Sequence, residues 1–398
     1  MAKAVHPTAR GAALDRRRAL KMARSAHAFV RGSTALFYRW LGEQPNHRRP
    51  PEGPPVWICG DCHLGNLGPI ADAGGRVEVL IRDLDQTVIG NPAHDLIRLG
   101  LSLASAARGS DLPGVTTAHM LEELIAGYQL ALEKPAADVA LPEPSAVRAV
   151  RRRALGRRWR QLAKERLADS GPTLPLGKRF WPLRPEERAD LERLLETPEV
   201  RRFALDMAAP GAEHIELLDA AFWVKGCSSL GRLRQAAIVR TVGDGGPRFG
   251  LIDIKEAVPS VAPVALGAEM PADPAERVVE GARALSPHLG DRMLAARVAG
   301  APVFIRELKP QDLKLELEQF TRDEAVRAAR YLAYVVGKAH ARQLDKAARR
   351  AWRADLAARG PGDLDAPSWL WRSVVDLAGR HETAYLDHCR RYALAAAA

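Results

Sequence analysis

The chain has 398 residues, 47% hydrophobic and 27% charged, which excludes a disordered protein and allows one large or two ordinary folded domains. No apolar run approaches the roughly 18 to 20 residues of a membrane helix, four cysteines are too few for a disulfide framework, and Met1 to Arg10 lacks the apolar stretch of a secretory signal, so a cytoplasmic protein is expected. The net charge of +11 suits nucleic acid, an acidic membrane surface or a phosphorylated ligand, but alanine and arginine abound throughout and the excess reads equally as base composition.

Ala12 to Leu41 has helical spacing of its large apolar residues and predicts one long helix or two short ones. A proline-rich loop, Pro45 to Pro55, leads to a short strand at Val56–Cys59 and a second at Val77–Ile81, with Ala71–Gly75 as the turn between them. Asn91-Pro92 opens a helix to about Ala107, asparagine as cap and proline at the first position. Residues 114–205 read as almost wholly helical. Strands follow at Phe222–Lys225, Gln235–Thr241 and Gly250–Ile254, then a helix at Pro274–Leu285, a strand at Pro302–Leu308 and helices at Phe320–Leu344 and Ser368–Tyr392. The fold class is α+β, in two lobes with a large helical portion.

The densest chemistry is Cys59-Gly60-Asp61-Cys62-His63-Leu64-Gly65-Asn66, followed by Ile81-Arg82-Asp83-Leu84-Asp85. Phosphoryl transfer needs an aspartate to orient the attacking hydroxyl and oxygen ligands to hold magnesium beside the phosphates. Asp61 leaves a strand, Asn66 closes the loop, and Asp83 ends the next strand, so the three can face one point. Asp85 lies two residues further and shares the side of Asp83, which makes it a further metal ligand. Taken singly, each would more often be a turn or solvated residue.

This segment resembles the catalytic loop of the aminoglycoside phosphotransferase and choline kinase branch of the protein-kinase-like superfamily. Those enzymes carry His-Gly-Asp, four residues, then Asn; here Cys59 replaces the histidine. Gly90-Asn91-Pro92-Ala93-His94-Asp95-Leu96 resembles their Gly-Asp-Pro-Ala-Tyr-Asp-Leu, whose last aspartate braces the loop. Taken whole, Phe29-Val30-Arg31-Gly32, the Asp61 loop, Asp83-Leu84-Asp85, Ile254-Lys255-Glu256-Ala257 and Ala339-His340-Ala341-Arg342 resemble the bacterial domain-of-unknown-function 2252 family over nearly the full length.

The resemblance implies a nucleotide-binding lobe, and nothing before Asp61 has room for one. Downstream, Gly226, Ser228, Ser229 and Gly231 join two strands as a phosphate-covering loop, and Lys255 ends a third strand as the phosphate-binding lysine. Glu280, with Glu276 in reserve, is the expected ion-pair partner of Lys255, and Val303 to Leu308 the hinge strand. The helix ending at His340–Arg342 resembles the one that normally leads into the catalytic loop, so the kinase-like fold is read as circularly permuted. Residues 1–212 would form a helical catalytic lobe, 213–312 the nucleotide lobe, and 313–398 helices returning to the first.

The implied function is a kinase-like phosphotransferase using ATP and Mg2+, with Asp61 as orienting base and Asn66, Asp83 and Asp85 at the metal. Only seven residues separate Asp83 from Asn91, too few for a peptide-holding activation loop, so a small hydroxylated or amino-bearing acceptor is expected. The alternatives are a non-catalytic nucleotide-binding pseudokinase and nucleotidyl transfer on the same fold. Cys59 and Cys62 form C-x-x-C, yet two further ligands for structural zinc are missing. Arg148 to Arg166 reads as a solvated helix face, and no nucleic-acid motif accompanies it.

Overall fold

The computed structural model describes residues 5–133, 141–167, 172–208, 212, 214–227, 230–243, 246–315, 321–357 and 366–394. The N-terminal region forms three helices, α1 (Arg10–Met22), α2 (Ala26–Gly32) and α3 (Thr34–Gly42), where one long or two short ones were expected; Ser25 caps the second, its hydroxyl accepting from the Ala28 amide. Strand β1 (Val56–Ile58) leads into the Asp61 loop. β2 (Leu67–Ala71) and β3 (Val77–Ile81) form a hairpin, and β1 pairs instead with β4 (Val88–Gly90). The turn at Asp72–Gly75 therefore joins β2 to β3, not β1 to β3. β2 escapes a reading by alternation because all five of its residues are buried.

Helix α4 (Pro92–Gly109) starts as expected, Asn91 Oδ1 accepting from the Ala93 amide at 2.9 Å. Then come α5 (Gly114–Glu133), α6 (Ser145–Leu155), α7 (Trp159–Arg166), the two-residue β5 (Phe180–Trp181), α8 (Pro185–Glu196) and α9 (Pro198–Ala208). The second half contains β6 (His214–Trp223), β7 (Arg234–Gly243), β8 (Gly246–Glu256), α10 (Pro274–Leu285), α11 (Pro287–Gly290), β9 (Met293–Val298) and β10 (Ala301–Glu307). Helices α12 (Arg322–Ala341), α13 (Lys346–Ala357) and α14 (Ser368–Cys389) follow.

A six-stranded antiparallel sheet runs in the order β5-β6-β7-β8-β10-β9. Alternation along β8 decides what each face does. Ile252 and Ile254 join Leu191, Leu194 and Val200 of α8 and α9 in one apolar cluster. Asp253 and Lys255 point to the opposite face and line a cleft. Thus α8 and α9, grouped by sequence with the catalytic lobe, pack on the sheet.

The remaining helices build a second body whose core is drawn from α4, α5, α12 and α14. Helices α5 and α12 approach so closely that a Cβ at Gly127 would lie 2.1 Å from the Arg330 carbonyl oxygen. Two histidines buried in this body, His94 and His381, are pushed down to about 4 by burial. Below its ordinary value of 6.5, each binds fewer protons folded than unfolded. Stability should therefore fall as pH drops from about 6.5 to about 4, by up to about 3 kcal/mol per histidine. Urea titrations across that window should show a shallower fall in His94→Gln than in the wild type; an identical slope would count against it.

Candidate active site

The Asp61 loop is fixed from several directions at once. Asp95, in the first turn of α4 and fully buried, accepts from the amides of Cys59 (2.7 Å) and Gly60 (3.0 Å). His340 Nε2 of α12 lies 3.2 Å from the same carboxylate. Gly60 has φ of +73°, and a Cβ there would lie 2.1 Å from the Gln86 carbonyl oxygen. Gly60→Ala should therefore cost at least ~1–3 kcal/mol in backbone strain; a thermal unfolding midpoint equal to wild type would refute that constraint. Farther along, Asn66 Nδ2 donates to the Asp61 carbonyl oxygen at 2.8 Å. The end of α12 meets the start of this loop through Gln343, whose side chain accepts from the Trp57 amide (2.7 Å) and donates to its carbonyl (3.0 Å).

Arg98 of α4 is fully buried and donates to Asp61 Oδ1 through Nε (3.0 Å) and Nη2 (2.8 Å). Burial raises the Asp61 carboxyl, and Arg98 opposes that rise without cancelling it. Removing one partner of such a pair typically costs about 3–5 kcal/mol, because the other is left charged and dry. The sequence held a signal for Arg98: it is the lone cation between His94 and Ala107, flanked on both sides by leucine and isoleucine in a largely apolar helix.

Across the cleft, Lys255 is 4% exposed, its Nζ bonded to Asp85 and 3.5 Å from Asp83. Burial and the neighbouring Asp83 push Asp85 up to about 6, whereas Lys255 is the chief influence holding the Asp83 carboxyl well below its usual range. Asp85 Oδ1 is buried and accepts no hydrogen bond. Two crowded carboxylates with one orphaned oxygen suit a divalent cation, with Asn66 close by on the same cleft wall. Among the described residues no group of three or more His, Cys, Asp or Glu forms a metal site. Further oxygens would have to come from phosphates and water, as is usual for magnesium.

Glu280 does not pair with Lys255. Glu276 and Glu280 lie on the exposed stripe of α10, while Val278, Val279, Ala282 and Leu285 are buried. Helix α10 reaches the site through Arg277, whose Nη2 donates to the carbonyl oxygens of Asp85 and Val258, both at 2.9 Å. Gly226 (φ +96°) lines the cleft, and its carbonyl accepts from Lys21 Nζ at 2.5 Å. Gly231 is exposed and lies outside the cleft lining, and Ser228 and Ser229 lie outside the described residues. Cys59 and Cys62 are free and fully buried, and their thiols are raised, by the hydrogen bond between the two side chains and burial for Cys59 and chiefly by burial for Cys62. Buried thiols so raised are inert. His63 lines the cleft with Nδ1 unpartnered.

In all, eight lysines and arginines and three aspartates line the cleft, together with the apolar Leu84, Val278, Leu289, Met293 and Phe304. Among the described residues no helix is long and apolar enough to cross a membrane. The molecule is a mixed α+β protein with a polar, strongly basic cleft between an antiparallel sheet and a helical body. The chain belongs to the DUF2252 family, described as uncharacterized proteins conserved in bacteria, which it matches over residues 10–391. No curated protein and no solved structure matches it.

Proposed function

We propose that the chain is a kinase-like phosphotransferase that moves the γ-phosphoryl group of ATP to a hydroxyl or amino group of a small molecule. The observation that carries this reading is the meeting of Lys255 with Asp83 and Asp85, from segments 170 positions apart, beside Asp61 and Asn66. Two further features support it. The connectivity β6-β7-β8-α10-β9-β10, with β10 between β8 and β9, is the order expected of a kinase nucleotide lobe. The bonds from Gln343 to Trp57, which join the end of α12 to the strand leading into the Asp61 loop, support reading that fold as circularly permuted.

The chain's residues divide the work. Arg234, Lys255 and Arg306 project from the sheet toward the phosphate chain, and Val278, Met293 and Phe304 offer apolar surface to the base. Asn66, Asp83 and Asp85 would hold magnesium, which when bound neutralises charge on the phosphate oxygens. For that, Lys255 must leave its carboxylates and turn to the phosphates. Asp61, its carboxyl fixed by Arg98, orients the acceptor and takes its proton. The acceptor oxygen or nitrogen bonds to the γ-phosphorus while the bond to the bridging oxygen breaks and ADP departs with that electron pair.

The test is product analysis after incubation with magnesium, ATP and pooled hydroxylated and amino metabolites. Acceptor-dependent ADP supports the proposal. Pyrophosphate would replace it with nucleotidyl transfer, and nucleotide binding with neither product would replace it with a pseudokinase scaffold.

A further inference from the structure

The cations of the cleft are not equivalent. Those borne by the sheet already have carboxylate partners: Arg234 pairs with Asp253, Arg306 with Asp312 (2.9 Å), and Lys255 with Asp85. On the Asp61 side the balance differs. Arg31 of α2 and Lys314, just beyond β10, line the cleft and make no hydrogen bond or ion pair among the described residues. Arg31 Nε is buried without a partner. His63, 96% buried on the same wall, is likewise unpartnered at Nδ1.

Both cations are held beside the catalytic loop. A Cβ at Gly65 would lie 3.0 Å from Arg31 Cζ, so the guanidinium lies against the loop itself. One nitrogen of Arg98 ties the Val30 carbonyl (2.7 Å) to Asp61 (2.8 Å), which fixes the backbone that carries Arg31. Lys314 is set by its neighbours: the Leu315 amide donates to the Leu67 carbonyl at 3.3 Å, and Asp312 is anchored by Arg292 at 3.0 Å. Lys314 therefore stands next to the end of the loop at Asn66.

We infer that the acceptor is itself an anion: a small hydroxylated molecule whose carboxylate or phosphate group is held by Arg31 and Lys314 beside Asp61. This rests on the phosphotransferase reading. Arg31 Nε and His63 Nδ1 are buried polar atoms without partners, a cost that a bound anion reaching Arg31 and the more exposed Lys314 offsets, and the sheet already carries its own set for the nucleotide. A cationic acceptor would meet this cluster with like-charge repulsion.

The test is calorimetric titration of the full chain with glycerol 3-phosphate, glycerate, glycerol and choline, beside magnesium with a non-hydrolysable ATP analogue. Glycerol 3-phosphate or glycerate should bind where glycerol and choline do not, and the stronger of the two identifies the anionic group. Arg31→Gln and Lys314→Gln should each weaken that anion at least roughly tenfold, with Arg31→Lys recovering part, while nucleotide affinity changes less than about threefold. Equal binding of glycerol or choline would overturn the inference, as would absence of anion binding. Loss of nucleotide affinity in the variants, or competition between anion and analogue, would assign these cations to the nucleotide instead. If the anions bind as expected and the analogue never does, the phosphotransferase reading fails and an anion site remains.

Discussion

Asp61→Asn is expected to lower turnover by about 10²- to 10⁴-fold, the range for loss of a general base, while magnesium–nucleotide affinity stays within about threefold. In the proposed reading the Asp61 carboxylate serves the acceptor, while the nucleotide would be held by Lys255 and its neighbours on the sheet and by the metal at Asp83, all of which line the same cleft. Asparagine also leaves Arg98 buried without its counter-charge, so the variant should be less stable by about 3–5 kcal/mol. A double variant, Asp61→Asn with Arg98→Met, removes that charge, and should recover stability without recovering turnover. Turnover that returns with stability would assign Asp61 a structural role only.

Lys255→Met should separate metal from nucleotide. In the wild type the lysine neutralises Asp83 and Asp85, so a divalent cation must displace it. Without it, the two carboxylates face each other uncompensated, and the apo protein should lose about 3 kcal/mol. The same change should tighten binding of free Mn2+ or Mg2+ by roughly tenfold or more, since opposite charge is then supplied only by the metal. Nucleotide affinity should fall, because the phosphates lose their lysine. Calorimetry with metal alone and with metal plus nucleotide reads both effects; weaker metal binding in the variant would show that the carboxylates do not form the metal site.

The parts of this arrangement that sequence could show are those carried by local pattern. Asp61, Asn66 and Asp83 stand out because their spacing along a strand–loop–strand segment is short and polar amid buried neighbours. Lys255 was legible as a strand-end lysine, but its partner was not. Glu276 and Glu280 sit on the outward stripe of α10 with Arg283, a periodicity present in the sequence and outweighed by the expectation of a kinase ion pair. The true partner, Asp85, comes from a segment packed against the sheet only in three dimensions. Arg31 and Lys314 were equally invisible as a pair. They lie 283 positions apart, and only the packing of α2 and the segment after β10 around the Asp61 loop brings them to one wall. Strands β2 and β9 were missed for the opposite reason, a lack of local alternation, since β2 is wholly buried and β9 is only half-buried through most of its length.

The most direct measurement is calorimetric titration of ATP into the purified chain, with and without magnesium, alongside Asp83→Asn. The account predicts saturable one-to-one binding that strengthens with magnesium in the wild type and loses that magnesium dependence in the variant. Failure of the folded wild-type chain to bind any nucleoside triphosphate, with or without magnesium, would contradict it.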